Sequence, residues 1–357
     1  MEPGKVHSSK SSGGEDAYLR SAWYPVAWSS ELVDGILPRR IAGEPVLLYR
    51  QKNGTPAAMF DRCPHRFAPL SRGCIVGDYI RCGYHGLTFD AKGGCIANPL
   101  GEGYIPETAS VRAFPTEEKF GLVWIWRGDH EKAEPKNIPD LSAFVPGPTA
   151  EFKTAYIHVR ADYRLAIDNL MDLSHSVFLH AETLAPVTPG LRDAVVRVSR
   201  NGERIKATIE MKNIDIGDGE RRDQQLDTEW FAPGVVALTF AQVPHGELLG
   251  NEAIHALHII TPETERSSHY LFGSTVDGRE GMTRDPFVDE DEPMLAACQE
   301  RMGEEDFWSL RPVILPNDAA AIQVRRQLEK MIRNEQASQS LVASARLLNV
   351  INQRSIE

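Results

Sequence analysis

The 357-residue chain has no apolar run approaching the ~18 residues that a helical membrane span needs, so no such span is expected. It has no surplus of positive charge either. Lys and Arg number 39 against 50 Asp and Glu, a net charge of −11, and surfaces that grip phosphate depend on clustered Lys and Arg. Nucleic acid is therefore not expected as a partner. The stretch Met1 to Asp16 lacks the apolar centre of a secretory signal, and its Ser8-Ser9-Lys10-Ser11-Ser12-Gly13-Gly14 is too polar to fold alone. A disordered tail on a cytoplasmic protein is the expectation. Cysteine is scarce and odd in number, at five, which argues against a disulfide framework and for metal ligation wherever histidine stands beside it. Internal repeats are also missing.

What is present is an ordinary globular composition, 42% hydrophobic and 25% charged, with room for two domains at ~150 residues each. From Trp23 to about Arg127, short β-like runs such as Pro45 to Arg50 and Gly121 to Trp126 alternate with Gly/Pro/Asp turns. Gly128 to Pro148 is rich in proline and charge. The expected division is a tail over 1–16, an all-β domain over 17–130, a linker over 131–150 and a second domain over 151–357. Apolar spacing predicts a helix from Asp162 to His180 and strands over Arg204 to Met211, Val235 to Val243, Ile254 to Thr261 and Ser268 to Ser274. Helices over Met294 to Met302 and Asp318 to Gln336 follow. The second domain is thus expected to be α+β, an antiparallel sheet with flanking helices.

Two motifs carry chemistry in the first domain, Cys63-Pro64-His65 and Cys82-Gly83-Tyr84-His85. Each lies in a turn and offers one thiolate and one imidazole. Cys₂His₂ suits either a tetrahedral zinc or a [2Fe–2S] cluster. A structural zinc site usually takes like ligands in close pairs, whereas a cluster of the Rieske type takes two Cys on one iron and two His on the other. Cys74, Cys95 and Cys298 have no such histidine and are expected to be buried free thiols.

In the second domain, Asn169, Asp172 and His175 recur every third residue on one helix face, and His180 follows five later. His180 would sit ~140° round a regular helix, so both imidazoles meet one metal only if the helix ends or bulges between them. Two imidazoles and one carboxylate leave open positions on a non-haem Fe(II), as O₂ chemistry requires. Asp289, Asp291, Asp306 and Asp318 are the carboxylates on offer, Asp318 having a simpler use as a helix cap.

The run Cys63-Pro64-His65-Arg66 with Cys82-Gly83-Tyr84-His85-Gly86-Leu87-Thr88-Phe89-Asp90 resembles the Rieske domain of aromatic-ring and demethylating oxygenases. Respiratory Rieske proteins carry a further cysteine in each loop, where this chain has Ala68 and Tyr84. Phe287-Val288-Asp289-Glu290-Asp291 resembles a segment of the same family whose Glu-Asp pair supplies the third iron ligand. On that resemblance Asp291 joins His175 and His180, with Asp306 as second candidate. Ile254 to Glu265, His269 to Phe272 and the C-terminal Arg311-Pro312 and Asp318 to Lys330 are similar to the vanillate and dicamba O-demethylase branch.

The resemblance implies a terminal monooxygenase with a [2Fe–2S] cluster on Cys63, His65, Cys82 and His85, a mononuclear Fe(II), O₂ as co-substrate and a small aromatic substrate. Electrons would come from NAD(P)H through a ferredoxin or reductase. It implies a homotrimer in which Asp172, grouped with Asn169 as catalytic, bridges His175 to His85 of a neighbouring chain, and His258 as a substrate-binding residue. Trp230 and Trp308 are expected in the core. Two alternatives stand beside this: a ring-hydroxylating or sulfonate-handling oxygenase of the same architecture, and a non-enzymatic zinc or electron-transfer protein.

Overall fold

A computed structural model describes residues 18–146, 152–248, 253–275 and 285–354. The expected tail lies outside the described residues. Three small antiparallel sheets build the N-terminal domain. The first joins β1 (Trp23–Trp28), β11 (Leu122–Trp126) and β10 (Thr116–Lys119). The second runs β2 (Leu37–Ile41), β3 (Glu44–Arg50), β4 (Pro56–Phe60), β9 (Ala113–Phe114), and the third β5 (Cys74–Val76), β6 (Tyr79–Arg81), β7 (Thr88–Phe89), β8 (Cys95–Ala97).

The C-terminal domain is a seven-stranded antiparallel sheet. Its strands are β12 (Lys153–Val159), β13 (Val196–Asn201), β14 (Arg204–Asp215), β15 (Arg221–Phe231), β16 (Val235–Pro244), β17 (Ala253–Thr264) and β18 (Ser267–Ser274), in spatial order β12-β18-β17-β16-β15-β14-β13. One face packs on α1 (Tyr163–Met171) and α3 (Ala319–Arg354), and α2 (Glu292–Met302) lies near β12. The α+β architecture is as expected from sequence.

The two domains share one core. Tyr24, Val26, Ile41, Val123 and Ile125 from the first pack with Ile157, Tyr163, Ile167, Ile260 and Tyr270 from the second. The β2–β3 hairpin helps lock them. Its tip, Ala42-Gly43, has φ of 47° and 84°, the left-handed pair that a two-residue hairpin turn demands. Alanine is strained there, and its N–H donates to the Pro262 carbonyl at 2.7 Å while Gly43 N–H donates to that of Glu263 at 2.8 Å.

In the segment between the domains, Ile138 and Leu141 are buried among Trp23 and Trp124 of the first and Phe231, Val235 and Leu257 of the second. Several sequence expectations are corrected. The helix expected from Asp162 to His180 stops at Met171. Strands β12, β13 and β15 were not foreseen, and α3 runs well past Gln336. Trp230 is fully buried, but Trp308, in the turn between α2 and α3, is only half-buried, its indole N–H donating to Glu329 of α3. Cys74 and Cys298 are exposed and Cys95 half-buried, because the β5–β8 meander is too small for two covered faces and Cys298 lies beside, not on, the Leu295/Gln299 stripe by which α2 packs.

Candidate metal centres

The two cysteine loops are built alike. Cys63 N–H donates to the Ala68 carbonyl at 2.9 Å and Phe67 N–H to that of Cys63 at 3.0 Å. In the other loop, Cys82 N–H donates to Leu87 at 2.8 Å and Gly86 N–H to Cys82 at 3.1 Å. Phe67 and Gly86, at matching positions, both have positive φ, 59° and 79°. Glycine takes that conformation freely, whereas Phe67 leaves its ring 70% exposed.

This construction turns the sulfurs inward and the imidazoles outward. Cys63 and Cys82 are 2% and 3% exposed, whereas His65 is exposed and His85 half-buried, their rings 4.6 Å apart. Burial pushes the Cys63 thiol up; the amides of His65 and Arg66 oppose this, and the adjacent Cys82 reinforces it. Donors around one zinc lie within about 4 Å of each other, given bonds of about 2.0–2.3 Å. Among the described residues, the ligand atoms that gather within 4.8 Å are those of His175, His180 and Asp291, and the four cluster residues form no such group. Two buried thiols on one side and two outward imidazoles on the other would suit a [2Fe–2S] cluster of the Rieske type, which takes Cys and His in separate pairs.

The second centre depends on how α1 ends. Asp162 caps its start, accepting from Arg164 N–H at 2.7 Å. At Asp172 the backbone turns extended (φ −119°, ψ 91°), and a short 3₁₀ turn, Leu173–Val177, carries His175. Phe178 and Leu179 N–H close on the His175 carbonyl, and Thr183, Leu184 and Ala185 on that of His180. The break brings the two imidazole centroids to 5.1 Å. Asp291 arrives from a π-helical turn, Pro286–Asp291, a local widening common at functional sites. Its Oδ1 lies 3.3 Å from His180 Nε2 and 3.6 Å from His175 Nε2.

Each group in this centre has a partner that orients it. Asn169 Nδ2 donates to Asp291 Oδ1 at 2.9 Å. His180 Nδ1 meets Glu290 Oε2 at 2.8 Å, and His175 Nδ1 meets the backbone oxygen of Asp172 at 2.5 Å. Both rings are therefore held with Nε2 facing Asp291. Burial pushes His175 down, with Asp291 opposing; at His180 burial is outweighed by Asp291 and Glu290, which push it up. Two imidazole nitrogens and one carboxylate oxygen on one side fit a divalent iron with open positions.

The remaining candidates fall elsewhere. Asp289 bonds the Asp285 amide, Asp306 the Trp308 amide and Asp318 the Leu315 amide. The Asp172 carboxylate was expected on His175. Instead the extended backbone presents its carbonyl to that ring, and the carboxylate folds forward to cap Ser174 N–H at 3.0 Å. His258 lies on β17 opposite Val236 and Phe272, 3% exposed, among the rings of Tyr270, Phe272 and Phe287. Its Nδ1 meets Tyr270 Oη at 2.5 Å and its Nε2 has no partner among the described residues. Burial pushes it down to about 4, so it is neutral. Glu290 and Thr183 were missed from sequence. Glu290 stands in an acidic run that also suits a helix start, and nothing local marks Thr183.

An electron-storing cluster in one domain and an open iron site in the next make the chain a Rieske-type non-haem iron oxygenase component. Comparison with known proteins agrees: residues 22–115 match the Rieske [2Fe-2S] domain and 159–334 the vanillate O-demethylase oxygenase C-terminal domain, and the chain belongs to the family that joins the two. It is 36% identical over 349 residues to the oxygenase component of chloroacetanilide N-alkylformylase from Rhizorhabdus wittichii, covering 92% of this chain and 99% of that one. It is 37% identical over 346 residues to the oxygenase component of dicamba O-demethylase from Stenotrophomonas maltophilia, covering 90% and 99%. The crystal structure of dicamba monooxygenase with non-heme iron and dicamba superposes with a TM-score of 0.76 at 34% identity, over 90% of this chain and 99% of that one.

Proposed function

We propose that the chain is the terminal oxygenase of a multicomponent monooxygenase that hydroxylates a methoxy, N-alkyl or related group of a small aromatic substrate and so dealkylates its oxygen or nitrogen. The observation that carries this is the convergence of His175, His180 and Asp291 in a chain that also folds a Rieske domain. Cys63, His65, Cys82 and His85 would hold the cluster, and His175, His180 and Asp291 the iron. When bound, the cluster supplies electrons one at a time and the iron activates O₂. Two electrons and two protons let one oxygen atom enter a C–H bond next to oxygen or nitrogen, the other leaving as water. The resulting hemiacetal or carbinolamine loses an aldehyde and frees the phenol or amine.

The chain's own residues supply position. His175 and His180 are each held by their Nδ1 partner, leaving Nε2 for the metal. Asn169 fixes the Asp291 oxygen that faces both rings. His258 Nε2, buried beside Phe272 and Phe287, is placed to orient a polar substituent of a bound ring. Asp172, half-buried at the helix end, has a carboxylate oxygen to offer His85 of a neighbouring chain in a homotrimer. Electrons would enter from a ferredoxin or an NAD(P)H-dependent reductase. The domain limits 17–130, 131–150 and 151–357 and a cytoplasmic location complete the proposal. No helix among the described residues is long and apolar enough to cross a membrane.

The test is a screen of methoxybenzoates and N-alkyl anilides with a surrogate reductase. Release of one aldehyde per NAD(P)H oxidised is expected. A ring diol with no aldehyde would favour ring hydroxylation instead.

A further inference from the structure

Glu290 and Asp291 are consecutive, both buried at 6% and 3% exposure, and they meet His180 on its two different nitrogens. Glu290 Oε2 also accepts from Thr183 Oγ1 at 2.7 Å, so one buried oxygen serves two donors. His175 is treated differently, its Nδ1 facing only a backbone carbonyl. A buried carboxylate is costly unless its charge is answered. Glu290 and Asp291 thus flank the His180 ring, one at each nitrogen.

We propose that Glu290 is a positioning residue that holds His180 as the Nδ1–H tautomer and strengthens its Nε2 as a donor to the iron. The proposal rests on the reading that His180 is an iron ligand. A carboxylate behind a ligating imidazole draws its N–H proton and raises electron density at the opposite nitrogen, and loss of such a partner typically weakens metal binding about 10–100-fold. The bland alternative is that Glu290 only pins the turn between His180 and Thr183, in which case its charge is dispensable.

The holo-oligomer serves for the test, with Fe(II) affinity of the mononuclear site measured against a competing chelator, and cluster absorbance and Tm as controls of the fold. Glu290→Gln keeps the shape and loses the charge. It should weaken Fe(II) binding about 10–100-fold with absorbance and Tm unchanged. Thr183→Val removes the turn's hydrogen bond but leaves the carboxylate on His180, and should bind iron nearly as wild type does. Wild-type affinity in a folded Glu290→Gln protein overturns the proposal. So does a Thr183→Val protein that loses as much affinity as Glu290→Gln, or that loses iron while Glu290→Gln fails to fold. His180→Ala separates the two claims: if it retains the mononuclear iron, the ligand reading fails, whatever Glu290 does.

Discussion

Asn169 Nδ2 donates to Asp291 Oδ1 at 2.9 Å, a bond between residues 122 positions apart that joins α1 to the π-helical turn in front of α2. Without it the carboxylate could rotate away from the two imidazoles it faces. An amide serves well here because it donates without adding charge to a pocket that already holds Glu290 and Asp291.

Asn169→Ala should therefore lower Fe(II) affinity and turnover while the cluster spectrum stays intact, with a loss of roughly tenfold or more in affinity. Asn169→Asp should be worse, since a third carboxylate would face Asp291. Iron retained at wild-type affinity in both variants would show that Asp291 needs no such anchor.

Asp172 is a clean target because its carboxylate caps Ser174 N–H, and Asn caps as well as Asp. Asp172→Asn should keep both metal centres and the folded stability while electron transfer between them slows and turnover falls steeply. Mixed oligomers of Asp172→Asn and Cys63→Ser chains should recover part of the activity, since some interfaces then pair an intact cluster with an intact Asp172. Normal single-turnover rates in Asp172→Asn would remove the bridge, and confirmed mixed oligomers without activity would count against transfer between chains.

Legibility in the sequence followed distance along the chain. The two Cys/His loops and the His175/His180 pair are local patterns whose spacing speaks for itself, and helix geometry alone demands a break near them, although α1 ends at Met171, before His175, rather than between the histidines. Asp291 was harder. Asp285, Asp289, Glu290, Asp291 and Glu292 look interchangeable as letters, yet the fold gives them separate tasks: Asp285 caps the turn, Asp289 bonds the Asp285 amide, Glu290 holds His180, Asp291 faces both rings, and Glu292 pairs with Arg160 at 2.9 Å. Only the three-dimensional path separates them. Strand β15 escaped notice because polar residues fill its run from Arg221 to Glu229, with Leu226, Thr228 and Trp230 turned to the core. Trp308 was expected inside on its size, whereas its N–H drew it to Glu329 at the surface of α3.

His269 links acid sensitivity to the domain interface. Its Nδ1 meets Tyr156 Oη and its Nε2 the Arg40 carbonyl, both at 2.9 Å, so β18 holds the β2–β3 hairpin. Burial pushes it down to about 4, with the Arg40 carbonyl opposing. The folded state then binds fewer protons than the unfolded chain, whose histidines titrate near 6.5. The stability this contributes is whole above about pH 6.5 and is lost as pH falls toward 4, by at most about 1.4 kcal/mol per unit. Denaturation at pH 7 and pH 5 should show His269→Gln losing about 2 kcal/mol less than wild type across that interval. An unchanged pH dependence in the variant would assign the acid sensitivity elsewhere.

The account stands on two iron centres of different kinds in one chain, and the ratio of iron to acid-labile sulfide measures that directly. Wild type should contain about three irons for every two sulfides, with a Rieske EPR signal on reduction. His180→Ala should fall to about two irons per two sulfides with the signal intact, and Cys63→Ser should lose the sulfide and the colour. A colourless wild-type protein holding zinc, or a wild-type ratio already at one to one after iron reconstitution, would contradict it.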